Sequence, residues 1–112
     1  MKQFIKLVEQ AYKQLALFFH PSYSFTIADD LPEKLEKHRV YILGEPSDPW
    51  AVALECPCGC RSIIQLNLLR EAKPRWEYSI SHNRAITIKP SIWRKAGCMS
   101  HFFIRKGKIV WA

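Results

Sequence analysis

The sequence predicts an α+β fold: a small, mostly antiparallel β domain preceded by an N-terminal amphipathic helix. Three observations predict it. Apolar residues recur at helical spacing over residues 2–19, they fall into short alternating runs further along, and each run is bounded by turn-forming residues. With 112 residues, the chain reads as one domain over 1–112, large enough for a single modest core.

The helix rests on Phe4, Val8, Ala11, Leu15 and Phe18, flanked by Ile5, Tyr12 and Phe19. This spacing puts one apolar stripe on a 3.6-residue period, a face that packs on the remainder of the domain. His20-Pro21 ends it, because the residue before a proline is pushed out of the helical region. "YSFTI" (23–27) alternates as a short strand, and "DDLPEKLEKH" offers Asp30 as a cap for a helical turn over Pro32–Lys37. Six β-type runs follow: 39–44, 50–56, 62–69, 76–81, 85–90 and 101–111. The last is broken by "RKGK", a hairpin turn between "FFI" and "IVW".

Hydrophobic content of 48% and charged content of 24% describe a soluble globular protein and exclude a disordered one. No apolar run reaches the roughly 18–20 residues of a membrane span. The first twenty residues carry Glu9 and Lys13 and lack a small-residue cleavage site, so they read as a helix rather than an export signal. A cytoplasmic location is expected, where thiols stay reduced and clustered cysteines serve metals or catalysis rather than disulfides. Seventeen basic residues against ten acidic ones give a net charge of +7, which favours acidic partners. The basic residues are spread along the chain, with no basic arm and no nucleic-acid motif. A solvated surface is the simpler reading, with nucleic acid as an alternative partner.

The cysteines carry the most information. Cys56, Cys58 and Cys60 alternate in "CPCGC", and Cys98 stands three residues before His101 in "CMSH". Thiolates are soft ligands suited to zinc, which takes four Cys or His ligands in tetrahedral sites. A Pro/Gly turn lets the backbone curl around an ion. Three cysteines in five residues plus a Cys/His pair are hard to account for by packing alone. Cys56, Cys58, Cys60, Cys98 and His101 are therefore five candidates for four positions on a zinc that staples the β domain. A thioredoxin-like site is disfavoured, since no C-x2-C opens a helix. A cytidine-deaminase site is rejected, because His38 and Glu45 are seven apart and "PCGC" is C-x-C. Trp50, Trp76, Trp93 and Trp111 read as core and rim residues rather than base-stacking platforms.

"WAVALECPCGC" followed by "ITIKPSIWRKAGCMSHFFIRKGKIVW" resembles a bacterial family of small Cys-rich proteins classed as a domain of unknown function. Its members share CPCGC, then PSI, then C-x-S-H with an aromatic, then a final apolar strand with Trp. The resemblance covers roughly residues 38–112 and includes Cys56, Cys58, Cys60, Pro90, Ser91, Ile92, Cys98, Ser100, His101 and Trp111. Its members are often encoded beside E1-like, E2-like and ubiquitin-like proteins of conjugation systems. The resemblance implies a metal site and a peptidase acting on ubiquitin-like fusions or conjugates. Arg61 and Met99 depart from the usual glycine and arginine. Leu54 stands where one branch has a histidine, a role His38 can fill. A hydrolytic zinc needs an open position and a general base. Glu45, in the "GE" that recurs in the most similar branch, is the candidate base. Glu55 alternates away from Cys56. Three readings remain open: a zinc-dependent peptidase, a structural-zinc module for a protein partner, and a zinc module for nucleic acid.

Overall fold

The computed structural model describes residues 22–112. Every regular element among them is a β-strand, so the α+β expectation is corrected to an all-β fold of two four-stranded sheets. The helix expected over 2–19 lies outside the described residues. The first sheet holds β1 (Ser24–Ala28), β2 (Arg39–Glu45), β3 (Asp48–Glu55) and β4 (Ile63–Asn67), adjacent in that order. The second holds β5 (Glu77–Ile80), β6 (Ile86–Trp93), β7 (His101–Arg105) and β8 (Lys108–Trp111), again in chain order. All pairings are antiparallel except β1 with β2, which is parallel.

The parallel pair requires a crossover, and residues 29–38 supply it. The helical turn expected over Pro32–Lys37 does not form there. The amide of Glu36 donates to the Tyr41 hydroxyl at 2.9 Å instead of to a carbonyl one turn back. Leu31 and Leu35 then pack on Tyr41, Leu43, Ala51 and Ala53, so the crossover lies over the outer face of the first sheet. Both faces of β2 and β3 are thereby buried, which explains their near-continuous apolar character.

The main core lies between the sheets. Val40, Ile42, Val52, Leu54, Ile64 and Leu66 from the first meet Ile86, Ile88, Ile92, Phe102 and Ile104 from the second. These are alternate residues of their strands, the period-2 pattern of inward-facing positions in a β-sandwich. Two turns are conspicuous. The β7–β8 hairpin turns on Lys106 and Gly107, both at positive φ (50° and 77°), the backbone of a type I′ turn. In the β2–β3 pair the register slips after Leu43, and Gly44 sits at φ 112° under the Trp50 ring. A Cβ at Gly44 would lie 2.6 Å from Trp50 Cδ1, so only glycine fits. Among the described residues no helix is long and apolar enough to cross a membrane.

Candidate active site and metal centre

The thiolate cluster forms where β3 ends. The Cys56 amide donates to the Ser62 carbonyl at 2.8 Å and the Gly59 amide to the Cys56 carbonyl at 3.3 Å, folding residues 56–62 into a tight loop between β3 and β4. Gly59, at φ 93°, provides the backbone freedom for this curl. Cys98 arrives from the other sheet, in the connection between β6 and β7. The Arg94 amide donates to the Ser100 carbonyl at 2.8 Å and closes that connection. The cluster therefore ties the two sheets together at one end of the molecule.

The four Sγ atoms of Cys56, Cys58, Cys60 and Cys98 lie within 4.8 Å of one another. Cys56 and Cys58 are 3.4 Å apart, Cys56 and Cys98 3.6 Å. Four sulfurs around one tetrahedral zinc stand about 3.8 Å apart, given Zn–S bonds near 2.3 Å. The donor set thus fits a metal ion of that kind with all four positions filled by sulfur. Its electrostatics are prepared for negative charge. Arg94 Nη1 donates to Cys60 Sγ and to Cys98 Sγ, each at 3.5 Å. The Ser100 hydroxyl lies 3.2 Å from Cys98 Sγ. Hydrogen bonds from Ser100, side chain first and then backbone, draw the Cys98 thiol down to about 6. Ser62 likewise lowers Cys60. Burial dominates at Cys56 and pushes its thiol up to about 11.

His101 and His38 stand outside the four-sulfur group. His101 opens β7 and is placed directly across from Trp93 of β6. Its Nε2 lies 2.9 Å from the hydroxyl oxygen of Ser91. In the tautomer protonated at Nδ1, the Ser91 hydroxyl donates to Nε2, the relation between a nucleophile and its general base. Among the described residues no carboxylate bonds the other ring nitrogen. The ring is instead held by stacking: Trp93 lies on it at 5.0 Å between centroids and 15° between planes. Phe103 flanks it at 6.1 Å, and Lys95 Nζ sits 5.0 Å above the Trp93 ring. The Trp76 indole donates to the Ser91 carbonyl at 3.3 Å and fixes the backbone at Ser91. Trp76 is in turn placed by Asn67, whose carbonyl accepts from the Trp76 amide at 2.8 Å.

Glu45 lies at the β2–β3 turn, opposite Asp48, while Cys56 follows the far end of β3. Seven residue steps of strand separate the two ends, about 23 Å at 3.3 Å per residue. Glu45 is exposed and is not brought to the cysteines. His38, at φ 60°, stands edge-on to Tyr23 at 5.5 Å and lines a separate cleft of ≈ 310 Å³ beside Cys56 and Arg61. Ser91 had no role from the sequence, although it stands in the "PSI" motif. The available signal was topological: if 85–93 and 101–105 pair as antiparallel neighbours, Ser91 and His101 come close. The C-x2-H interval of "CMSH" instead drew His101 toward the metal.

Fold and site define a two-sheet β protein that combines a four-cysteine metal-type centre with a Ser–His couple on adjacent strands. A family model described as "Bacterial ubiquitination-like system serine protease (BubE)" matches residues 27–112, and the chain belongs to that family. The Cys-rich family resembled by its motifs is thus one of bacterial ubiquitination-like systems. No curated protein and no solved structure gives a match.

Proposed function

We propose that the protein is a serine peptidase acting on ubiquitin-like fusions or conjugates, with Ser91 as nucleophile, His101 as general base and a structural zinc on the four cysteines. The observation that carries this reading is the 2.9 Å contact between His101 Nε2 and Ser91 Oγ in a chain whose family is described as a serine protease. His101 takes the hydroxyl proton as Ser91 Oγ bonds to the scissile carbonyl carbon. The resulting imidazolium gives that proton to the leaving nitrogen as the C–N bond breaks, leaving an acyl ester on Ser91. Water, deprotonated by His101, attacks the ester, and the proton returns to Ser91 as the acid product leaves. Trp93 does by stacking what a carboxylate does in a triad: it keeps the imidazole facing the serine.

Zinc, if bound, supplies charge neutralisation and a covalent clamp. Cys56, Cys58, Cys60 and Cys98 would hold it, and four sulfurs leave no position for water, the pattern of structural rather than hydrolytic sites. The clamp bears on catalysis through the chain, because Cys98 lies three residues and Ser100 one residue before His101, in the connection that joins β6 to β7. The free thiols of the cluster suit a reducing, cytoplasmic setting. The family's place in a ubiquitination-like system supports a ubiquitin-like substrate or an E1-like or E2-like partner.

The test is reaction of the full chain with a fluorophosphonate, followed by peptide mass mapping. A single adduct on Ser91, lost in Ser91→Ala and in His101→Gln, is expected together with cleavage of a ubiquitin-like fusion by the unmodified chain. An adduct elsewhere, or cleavage that survives Ser91→Ala, refutes the assignment.

A further inference from the structure

Beside the Ser–His couple the outer face of the second sheet carries an open groove of ≈ 520 Å³. The strand register explains it. Glu77 pairs with Lys89, and Thr87 lies on the same outward-facing side, while Ile88 pairs inward with Ile104. The groove is continuous with the site at two points. Pro90, which lines it, precedes Ser91, and Phe103, which also lines it, stands 6.1 Å from the His101 ring. With the Arg105 guanidinium 4.3 Å beyond that ring, a cation lies within about three residues of extended chain from the imidazole at about 3.3 Å per residue.

Its chemistry is one-sided. Three cations, Arg75, Lys89 and Arg105, face a single carboxylate, Glu77. Arg75 is already engaged: its Nη1 bonds Glu77 at 2.8 Å and its Nε donates to the Leu68 carbonyl at 3.3 Å. Arg105 is pre-positioned, with its guanidinium carbon 4.3 Å above the Phe103 ring. Lys89 and Arg105 have no carboxylate partner among the described residues. Between the charges lie Pro90, Phe103 and the Thr87 methyl. An apolar floor with two uncompensated cations at its edge matches an acidic side chain on a short aliphatic stem.

We infer that this groove is the substrate subsite next to the scissile bond, and that it selects an extended peptide segment bearing Glu or Asp within about three residues of the bond cleaved. The inference rests on the Ser91–His101 reading for its place beside the chemistry, whereas its binding preference can be measured without turnover. Exposed charge pairs are individually weak, so two of them predict a preference of roughly three- to thirty-fold, reduced by salt.

Two experiments separate the two ideas. Binding of fluorescent decapeptides that differ only by Glu or Gln at one position is measured on the Ser91→Ala chain by polarisation at low salt. The Glu peptide is expected to bind several-fold tighter, with the preference lost in Lys89→Gln/Arg105→Gln and reversed toward a Lys peptide in Lys89→Glu/Arg105→Glu. In parallel, the unmodified chain is given a peptide library, and cleavage sites enriched in Glu or Asp near the scissile bond are expected. Equal binding of the Glu and Gln peptides, or a preference that survives charge reversal, overturns the acidic subsite even if Ser91 is labelled by fluorophosphonate. A preserved Glu preference with no labelling of Ser91 and no cleavage overturns its role as a substrate subsite and the catalytic reading, leaving an acidic-peptide groove only.

Discussion

Replacing Trp93 by alanine isolates what holds the proposed general base, His101. Trp93 stacks on His101 at 5.0 Å and 15°, yet it is 55% exposed and contributes little to the core. An aromatic pair of this kind is worth about 0.5–1.5 kcal/mol beyond its area. With no carboxylate on the second ring nitrogen among the described residues, that energy is what biases the imidazole toward the rotamer facing Ser91. Since each 1.36 kcal/mol is tenfold in rate, Trp93→Ala should slow Ser91 acylation by roughly 2- to 13-fold. The melting temperature should shift by no more than a few degrees, because the side chain is mostly outside the core. The assay is the pseudo-first-order rate of fluorophosphonate labelling of Ser91, read beside thermal unfolding of the same sample. Trp93→Phe, which keeps a stacking ring, should recover most of the rate. Two results would refute the reasoning: an unchanged labelling rate in Trp93→Ala, or a loss of rate fully explained by unfolding.

Other outcomes follow from the same geometry. Glu45→Gln and His38→Gln should leave Ser91 labelling within experimental error, since Glu45 sits about 23 Å along β3 from the cysteines and His38 faces a different cleft; a large loss in either variant would restore a metal-hydrolase reading. Elemental analysis should find one zinc per chain, and stripping it with a chelator should abolish labelling and lower the thermal transition steeply, because structural zinc supplies about 10–16 kcal/mol against a typical domain stability of about 5–15 kcal/mol. Labelling that persists in zinc-free chain would separate the metal from the active site. Gly44→Ala should cost about 1–3 kcal/mol in chemical denaturation, given the 2.6 Å clash with Trp50 and φ of 112°; an unchanged midpoint would mean that the β2–β3 irregularity relaxes freely.

Much of the β architecture was legible from local pattern. The runs that read as strands coincide with β2 through β8 to within a few residues, and "RKGK" forms the expected hairpin. Alternation exposes strands because side-chain direction repeats every two residues whatever the strand later packs against. The crossover misled because helix-forming composition at 32–37 is a weak preference, easily overridden when Leu31 and Leu35 can cover an apolar sheet face. The four cysteines were legible as a group because thiolates in a Pro/Gly turn have few other uses. His101 was not: nothing in "CMSH" says whether its histidine turns with Cys98 or away from it.

What the sequence by itself determined is the inventory: strand-forming runs, a soft-ligand cluster, a basic surface and a family signature. What only the tertiary structure decided is which members of that inventory meet. Ser91 and His101 are ten residues apart in the chain, and a single step in the β6–β7 register would turn one of them to the opposite face of the sheet. The register is held by Ile88, Ile92, Phe102 and Ile104 packing into a core shared with the other sheet. Long-range packing of that kind has no local signature, so the pairing of Ser91 with His101 became visible only once both sheets were in place.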